Sequence, residues 1–214
     1  MKILAINGSP RKKRNTATVL KNAIEGAASQ GAETELVHLY DLDFKGCTSC
    51  LVCKQKDGKS FGKCAMRDEL TPVLEKIPTV DALLLGSPIY FSSMTGEMRS
   101  FYERAAYQYL NYEGPDFSLF PKKIKVGLIL TLGLEEKQIQ ESGMKQHFEG
   151  IEMMTGRIFG SAESLIVAGA NVFNDYTKFA GSPGEAAELK RRSDEMFTAN
   201  CKKAFDMGAR LAEK

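Results

Sequence analysis

Four cysteines lie close together in the sequence at a spacing that suits metal or redox chemistry. Cys47, Cys50 and Cys53 form a Cys-x-x-Cys-x-x-Cys motif, and Cys64 follows after a longer gap. Three cysteines at this spacing can direct their thiolates to one metal centre, and a fourth from nearby completes an iron–sulfur or zinc site. In a cytoplasmic protein such a group indicates metal or redox chemistry rather than structural disulfides. Cys201 stands alone on a predicted helix and is expected to be an ordinary packing or surface residue.

A loop that suits a phosphate group opens the chain. The apolar run Ile3–Ile6 leads directly into Asn7-Gly8-Ser9-Pro10-Arg11, and a predicted helix begins near Asn15-Thr16. The N-terminus of a helix presents unpaired N–H groups and the positive end of its dipole, which favours anions. Gly8 is expected to let the backbone approach the ligand closely. The alternative is that Ser9 and Asn15 only form a turn and cap the helix, as such residues often do.

Two further loops are predicted at the same edge of the sheet. The third predicted strand ends in Gly86-Ser87-Pro88-Ile89-Tyr90-Phe91, and the fourth ends in Thr131-Leu132-Gly133. A backbone followed by aromatic and small polar residues can line the edge of a flat heterocycle while excluding water. The alternative for Tyr90 and Phe91 is ordinary core packing, which is the commoner role of aromatic residues.

Apolar runs that alternate with amphipathic segments position these loops. Strands are predicted at 3–6, 35–39, 82–86, 124–130 and 164–168, and helices at 16–30, 69–76, 97–110, 142–158 and 184–213. Repeated strand–helix units predict a parallel sheet that is covered by helices on both faces. Ligands bind such sheets at the carboxyl ends of the strands.

The composition excludes several other classes of protein. The 214 residues include 29 Lys plus Arg against 27 Asp plus Glu, so nothing in the charge favours nucleic acid or an anionic membrane as a partner. No apolar run approaches the roughly 20 residues of a membrane-spanning helix. The protein is therefore expected to be cytoplasmic.

Taken in this order, the motifs resemble the flavodoxin-like NAD(P)H-dependent FMN reductase family, and within it the branch related to iron–sulfur flavoproteins. The resemblance covers nearly the whole chain. The segments that carry it are Asn7–Arg11 with Asn15-Thr16, Gly46–Cys53, Gly62–Cys64 with Asp68-Glu69, Gly86–Phe91, and Phe101-x-x-Arg104.

The resemblance implies a flavodoxin-like three-layer α/β sandwich with a five-stranded parallel sheet of order 2-1-3-4-5. It implies one FMN-binding domain over residues 1–214, with a Cys-rich insertion at about 44–67 and a C-terminal helical extension at about 184–213. It also implies that FMN is bound non-covalently. Ten residues would bind it: Ser9, Arg11, Asn15 and Thr16 at the phosphate, Pro88, Ile89, Tyr90 and Phe91 along the ring, and Thr131 and Gly133 near its other side.

The function that the resemblance implies is an FMN-dependent oxidoreductase that passes electrons from NAD(P)H to a small acceptor such as a quinone or a flavin. The alternative is an iron–sulfur flavoprotein that acts as an electron carrier and docks to a redox protein such as ferredoxin. A homodimer or homotetramer is implied in either case. No side chain is assigned as a general acid or base; Asp68, Glu69 and Arg104 are expected to form helix caps and surface or interface ion pairs.

Three states of the four clustered cysteines remain open from the sequence. They are a [4Fe–4S] cluster on Cys47, Cys50, Cys53 and Cys64, a metal-free set of thiols or a disulfide, and a zinc site. In the iron–sulfur flavoproteins the gap before the fourth cysteine is usually shorter, which places the metal-free state ahead, although long loops close at little extra cost. Zinc comes third because zinc sites more often pair two Cys-x-x-Cys units, or one with histidine.

Overall fold

The sheet and its helices follow the alternation that the sequence predicts. A computed structural model describes residues 1–173 and 186–213, without the side chains of 186–194 and 196. The strands are β1 (Lys2–Asn7), β2 (Glu33–His38), β3 (Ala82–Tyr90), β4 (Ser93–Met94), β5 (Ile124–Thr131) and β6 (Gly160–Val167). The helices are α1 (Asn15–Ser29), α2 (Thr71–Lys76), α3 (Gly96–Tyr107), α4 (Glu136–Glu141), α5 (Met144–Phe159) and α6 (Ala186–Leu211).

Five parallel strands form the sheet, in the order β2-β1-β3-β5-β6. Without the short β4, this order is 2-1-3-4-5, so the predicted fold class is confirmed. β3 extends four residues beyond the predicted end at Gly86, to Tyr90, where it pairs with β4 in an antiparallel hairpin. Phe91 and Ser92 form the turn with φ angles of 48° and 65°. Neither residue is a typical choice for these left-handed conformations, so no local pattern predicts a hairpin here.

Alternating side chains of each strand divide the core between the two faces of the sheet. Ile3 and Ala5 of β1 join one apolar cluster with α1 and α6, whereas Leu4 and Ile6 join the other with α2, α3 and α5. The three layers of the predicted sandwich follow from this alternation. Among the described residues, no helix is both long enough and apolar enough to cross a membrane.

Helices α1 and α6 approach each other so closely that two glycines are required at their contact. A Cβ atom on Gly26 would lie 1.9 Å from the carbonyl oxygen of Phe205, and one on Gly208 would lie 1.8 Å from that of Ala23. Helix α6 therefore packs as part of the layer that covers the sheet. Tyr176, for which the sequence favours a surface loop over a reach into a neighbouring site, lies outside the described residues.

Candidate functional site

A cavity of about 180 Å³ opens at the carboxyl edge of the sheet. The segments that follow β1, β5 and β6, the end of β3 and the first turn of α1 enclose it. Its walls are Ser9, Arg11, Arg14, Asn15, Thr16, Pro88, Ile89, Tyr90, Thr131, Leu132, Gly133, Ala170, Asn171 and Val172. This is the position at which doubly wound sheets bind their ligands.

Nine of the ten residues predicted to bind FMN line this cavity, and Phe91 is the exception. Phe91 lies at the tip of the β3–β4 hairpin, where its side chain is fully exposed. The sequence places it beside Tyr90 at the ring, but the hairpin turn directs the chain away from the cavity. The structure therefore does not bring Phe91 to the other nine residues.

The N-terminus of α1 faces the cavity without a side-chain cap. Arg14 occupies the N-cap position and makes no capping hydrogen bond. The loop before it holds its own shape, because the Ser9 amide donates to Asn7 Oδ1 over 3.0 Å and the Arg11 amide donates to Ser9 Oγ over 3.2 Å. Of the alternative roles, Ser9 does form a turn, but neither Ser9 nor Asn15 caps the helix. The uncapped end of a 15-residue helix suits a phosphate.

Hydrogen bonds tie the predicted phosphate residues to the rest of the cavity wall. The Thr16 and Thr131 hydroxyl oxygens lie 2.6 Å apart. Arg11 Nη1 donates to the Val172 carbonyl and Asn15 Nδ2 donates to the Asn171 carbonyl, each over 2.8 Å. The wall formed by residues 170–172 was missed from the sequence. The available signal was topological, since this segment follows β6 at the same edge of the sheet.

Gly8 has a packing role that the sequence does not indicate. A Cβ atom there would lie 2.6 Å from the Cβ atom of Met98, so the missing side chain makes room for helix α3. The Thr95 hydroxyl donates to the Gly8 carbonyl over 2.7 Å, and the Gly8 amide donates to the Gly86 carbonyl over 2.8 Å. Gly8 thus fixes the phosphate loop against its neighbours.

The four clustered cysteines converge at a second location, where Cys47, Cys50, Cys53 and Cys64 line one cavity of about 20 Å³. All five cysteines of the chain are free thiols. Within residues 1–173 and 186–213, no three His, Cys, Asp or Glu side chains are close enough to bind a single metal ion. This arrangement does not distinguish between the cluster, metal-free and zinc states of the four cysteines.

The backbone between the cysteines turns in a way that brings them to one side. Ser49 and Leu51 have left-handed φ angles of 53° and 59°, unusual for these residue types. Gln108 of the segment after α3 holds Cys64 in place, because its Oε1 accepts a hydrogen bond from the Cys64 amide over 2.9 Å. Burial raises the pKa of the Cys53 thiol, and the neighbouring cysteines raise it further against the lowering effect of Lys54. The neutral form of the Cys53 thiol is therefore favoured.

Arg104 also lines the cysteine cavity, and it is buried rather than on the surface as the sequence analysis expected. Its Nη1 donates to the Lys45 carbonyl over 3.0 Å and to the carboxylate of Asp68. Asp68 in turn accepts the Leu70 amide over 3.2 Å, a local cap ahead of α2. The sequence predicts an ion pair for Arg104 but not its burial, because nothing local to Arg104 shows that Asp68 reaches it.

The sheet order and the cavity at its carboxyl edge define a flavodoxin-like α/β protein. The sequence model of the family described as NADPH-dependent FMN reductase matches residues 1–160, and the chain belongs to this family. It is therefore an NAD(P)H-dependent FMN oxidoreductase by class, with FMN as the cofactor of that class.

Individual proteins agree with this assignment. An iron–sulfur flavoprotein of Methanocaldococcus jannaschii is 29% identical over 184 residues, which cover 86% of this chain and 82% of the relative. The solved NAD(P)H:quinone oxidoreductase of Methanothermobacter marburgensis superposes with a TM-score of 0.74 at 18% identity, covering 100% of this chain and 98% of that one. An FMN-dependent NADH-azoreductase of Bacillus anthracis, solved with FMN, gives 0.67 at 14% identity and covers 100% of both chains. The two structures support the fold.

Proposed function

We propose that this protein holds FMN in the cavity at the N-terminus of α1 and passes electrons from NAD(P)H to a small acceptor such as a quinone or a free flavin. The observation that supports the proposal most strongly is the meeting of an uncapped helix N-terminus with Ser9, Thr16 and Thr131 in one cavity at the carboxyl edge of the sheet. These are the groups that a flavin phosphate requires, and their arrangement depends on four segments of the chain.

The phosphate would be bound by Ser9, Arg11, Asn15 and Thr16. Ser9 and Thr16 are almost fully buried, so their hydroxyl groups are held in place before a ligand arrives. Arg11 is exposed, and its guanidinium can exchange the Val172 carbonyl for a phosphate oxygen. A bond between opposite charges is stronger than one to a neutral carbonyl, and the exchange favours binding.

The flavin ring would lie along the end of β3. Pro88 is buried and Ile89 is half-buried, whereas Tyr90 is 43% exposed, so exposure to solvent increases along these three consecutive residues. Bound FMN supplies the chemistry by accepting a hydride from the nicotinamide and releasing the electrons to an acceptor. The backbone of this strand end would orient the ring and exclude water on one side, and the open side by Tyr90 would admit the two substrates in turn.

Rapid mixing without oxygen tests this function. FMN-loaded protein mixed with NADH or NADPH should lose its flavin absorbance, and a quinone added afterwards should restore it. Steady turnover with either nucleotide supports a reductase. A flavin that stays oxidised in the presence of both nucleotides, yet is reduced by a reduced ferredoxin, would replace the reductase with an electron carrier.

The second candidate function is that of an iron–sulfur flavoprotein, because the four cysteines line one cavity. The length of segment 54–63 favours the metal-free state. In the structure this segment folds back, because the Gly62 amide donates to the Cys53 carbonyl over 3.0 Å, and Cys64 therefore lies near the other three cysteines. A [4Fe–4S] cluster would be held by Cys47, Cys50, Cys53 and Cys64 and would supply transfer of one electron at a time. The relative from Methanocaldococcus jannaschii supports this by its name.

Loading of a cluster requires the segment that carries the first three cysteines to move outward. The cavity of about 20 Å³ has room for little more than one water molecule. Cys50 and Leu51 are exposed on the outer side of the segment, whereas Cys53 is buried, so the part that carries Cys50 can move more easily than the part that carries Cys53. Iron and sulfide analysis of protein purified without oxygen tests the proposal. About four iron atoms per chain, lost in Cys50→Ser and kept in Cys201→Ser, would support it; a wild-type protein with FMN and no iron would end it.

A homodimer or homotetramer forms part of the same proposal. Helices α3 and α5 enclose an apolar groove of about 750 Å³, and Met153 at its edge is 58% exposed. An apolar groove with an exposed methionine at its edge suits an interface with a second copy. Light scattering on the purified protein should give a multiple of the chain mass, and Met153→Glu should shift it towards the monomer. A monomeric wild-type protein at micromolar concentration would contradict this assignment.

A further inference from the structure

Arg104 places a buried positive charge beside the cysteine cavity. Its side chain has no exposed surface, while that of its ion-pair partner Asp68 is 18% exposed. Two of its three nitrogens have partners outside the cysteines, because Nη1 donates to the Lys45 carbonyl and to Asp68, and Nη2 donates to the Met66 carbonyl over 3.5 Å. A guanidinium remains charged at any ordinary pH, and its burial costs free energy unless anionic partners surround it.

The third nitrogen of Arg104 has no partner. Nε is one of two buried side-chain polar atoms in the described part of the chain without a hydrogen bond; the other is the hydroxyl of Ser164. A buried N–H without an acceptor has lost its hydrogen bond to water and gained none in return, which is unfavourable. Arg104 lines the cavity with the four cysteines. Burial lowers the pKa of its guanidinium, but Asp68 and Cys64 more than offset this and raise it. The site thus presents a donor and a charge to whatever the cysteines hold.

Lys54, the other cation near the cysteines, directs its ammonium group to partners outside the cysteine cavity. Lys54 follows Cys53 directly, but its Nζ donates to the carbonyls of Gln108 and Leu110 over 3.1 and 2.6 Å and lies 5.0 Å from the centre of the Tyr107 ring. Its ammonium group therefore serves the end of α3. Arg104 is the cation that retains an unused donor at the cavity.

We propose that Arg104 is a positioning residue of the iron–sulfur site, which donates its Nε–H to a sulfur of the bound cluster and raises the reduction potential of that cluster. The proposal rests on the assignment of a cluster to the four cysteines. Reduction adds negative charge, and a fixed cation in a low-dielectric site stabilises the reduced state more than the oxidised one. Hydrogen bonds to cluster sulfurs act in the same direction.

Redox titration followed by electron paramagnetic resonance tests this on protein loaded with iron and sulfide without oxygen. Arg104→Met should shift the reduction equilibrium of the cluster at least tenfold towards the oxidised state, which lowers its reduction potential by about 59 mV for one electron. Asp68→Asn should raise it, because this substitution removes a negative charge and leaves Arg104 in place. Arg104→Lys keeps the charge without Nε and should give a smaller fall than Arg104→Met.

Arg210→Met is the matched control. Arg210 also forms an ion pair, with Glu163 over 2.8 Å, but its side chain is 52% exposed. The Arg210→Met substitution should leave the reduction potential of the cluster unchanged. The reduction potential of FMN serves as an internal reference in every sample.

The outcomes separate this proposal from the one on which it rests. Iron is measured first: a wild-type protein that binds FMN without iron overturns both. A wild-type protein with iron, whose cluster potential is the same in Arg104→Met and Arg104→Lys, overturns the role of Arg104 alone. So does a shift in the same direction for Arg104→Met and Asp68→Asn, since a purely structural ion pair would respond alike to the loss of either partner.

Discussion

The hydroxyl oxygens of Thr16 and Thr131 lie 2.6 Å apart, and both side chains are buried at the base of the candidate FMN cavity. One residue belongs to the first turn of α1 and the other ends β5, so this hydrogen bond joins the helix terminus to the strand beside it. The bond spans 115 positions of the chain, and it holds the N-terminus of α1 against the sheet.

A double-mutant cycle on these two threonines should show strong coupling. Thr16→Val and Thr131→Val should each lower the free energy of unfolding by about 1–3 kcal/mol, because each leaves the other hydroxyl buried without its partner. The double substitution should cost clearly less than the sum. Urea unfolding of the four proteins without FMN measures the coupling. Additive effects would mean that the two hydroxyl groups do not depend on each other.

The contact between α1 and α6 should tolerate no side chain at its closest point. Gly208→Ala places a methyl group against the Ala23 carbonyl and should lower the free energy of unfolding by about 1–3 kcal/mol as the helices separate. Gly150→Ala is the control, since Gly150 lies inside α5 with open space around it. That substitution should raise the stability by about 0.5–1 kcal/mol. Equal effects of the two alanines in thermal unfolding would be inconsistent with the described packing.

The ion pair of Asp68 and Arg104 should make the free energy of unfolding depend on pH. Burial alone would raise the pKa of Asp68, but the Arg104 guanidinium more than offsets this and lowers it below its usual range. The stabilisation is therefore present above the unfolded-state pKa of about 3.9 and is lost as the pH falls through the lower folded-state value.

Asp68→Asn isolates this contribution. The variant leaves the Arg104 charge buried and uncompensated and should lose about 3 kcal/mol or more at neutral pH. The difference from the wild-type protein should shrink as the pH is lowered below about 4. Urea unfolding at several pH values checks this, and a difference that stays constant down to pH 3 would exclude the ion pair as its source.

The parts of the fold that the sequence predicted are those determined by local patterns. The apolar run of β1 and the helical spacing of α1 fix both elements, and the loop between them follows. The helix Glu136–Glu141 was not predicted, because six residues are too few for a helical period to be seen. The end of β3 was placed at Gly86, because Pro88 and the aromatic residues after it suggested a loop, whereas the pairing of Ile89 with Met94 continues the strand.

The site was predicted where one segment supplied both the pattern and the chemistry. The sequence does not predict the role of residues 170–172, because their hydrogen bonds to the other wall residues are made by backbone carbonyls, which every residue type carries. The burial of Arg104 depends on Asp68, 36 positions earlier, and on a cavity formed by distant cysteines. Features of this kind arise only from the tertiary fold.

Binding of FMN and of riboflavin, which lacks the phosphate, tests the central claim most directly. Titration of flavin-free protein by fluorescence should show that Ser9→Ala weakens FMN by about tenfold to a hundredfold, as expected for a hydrogen bond to a charged group. Its affinity for riboflavin should not change. Ser29→Ala, at the far end of the same helix, should alter neither. If Ser9→Ala weakened both flavins equally, or weakened neither, the phosphate would not be held at the N-terminus of α1.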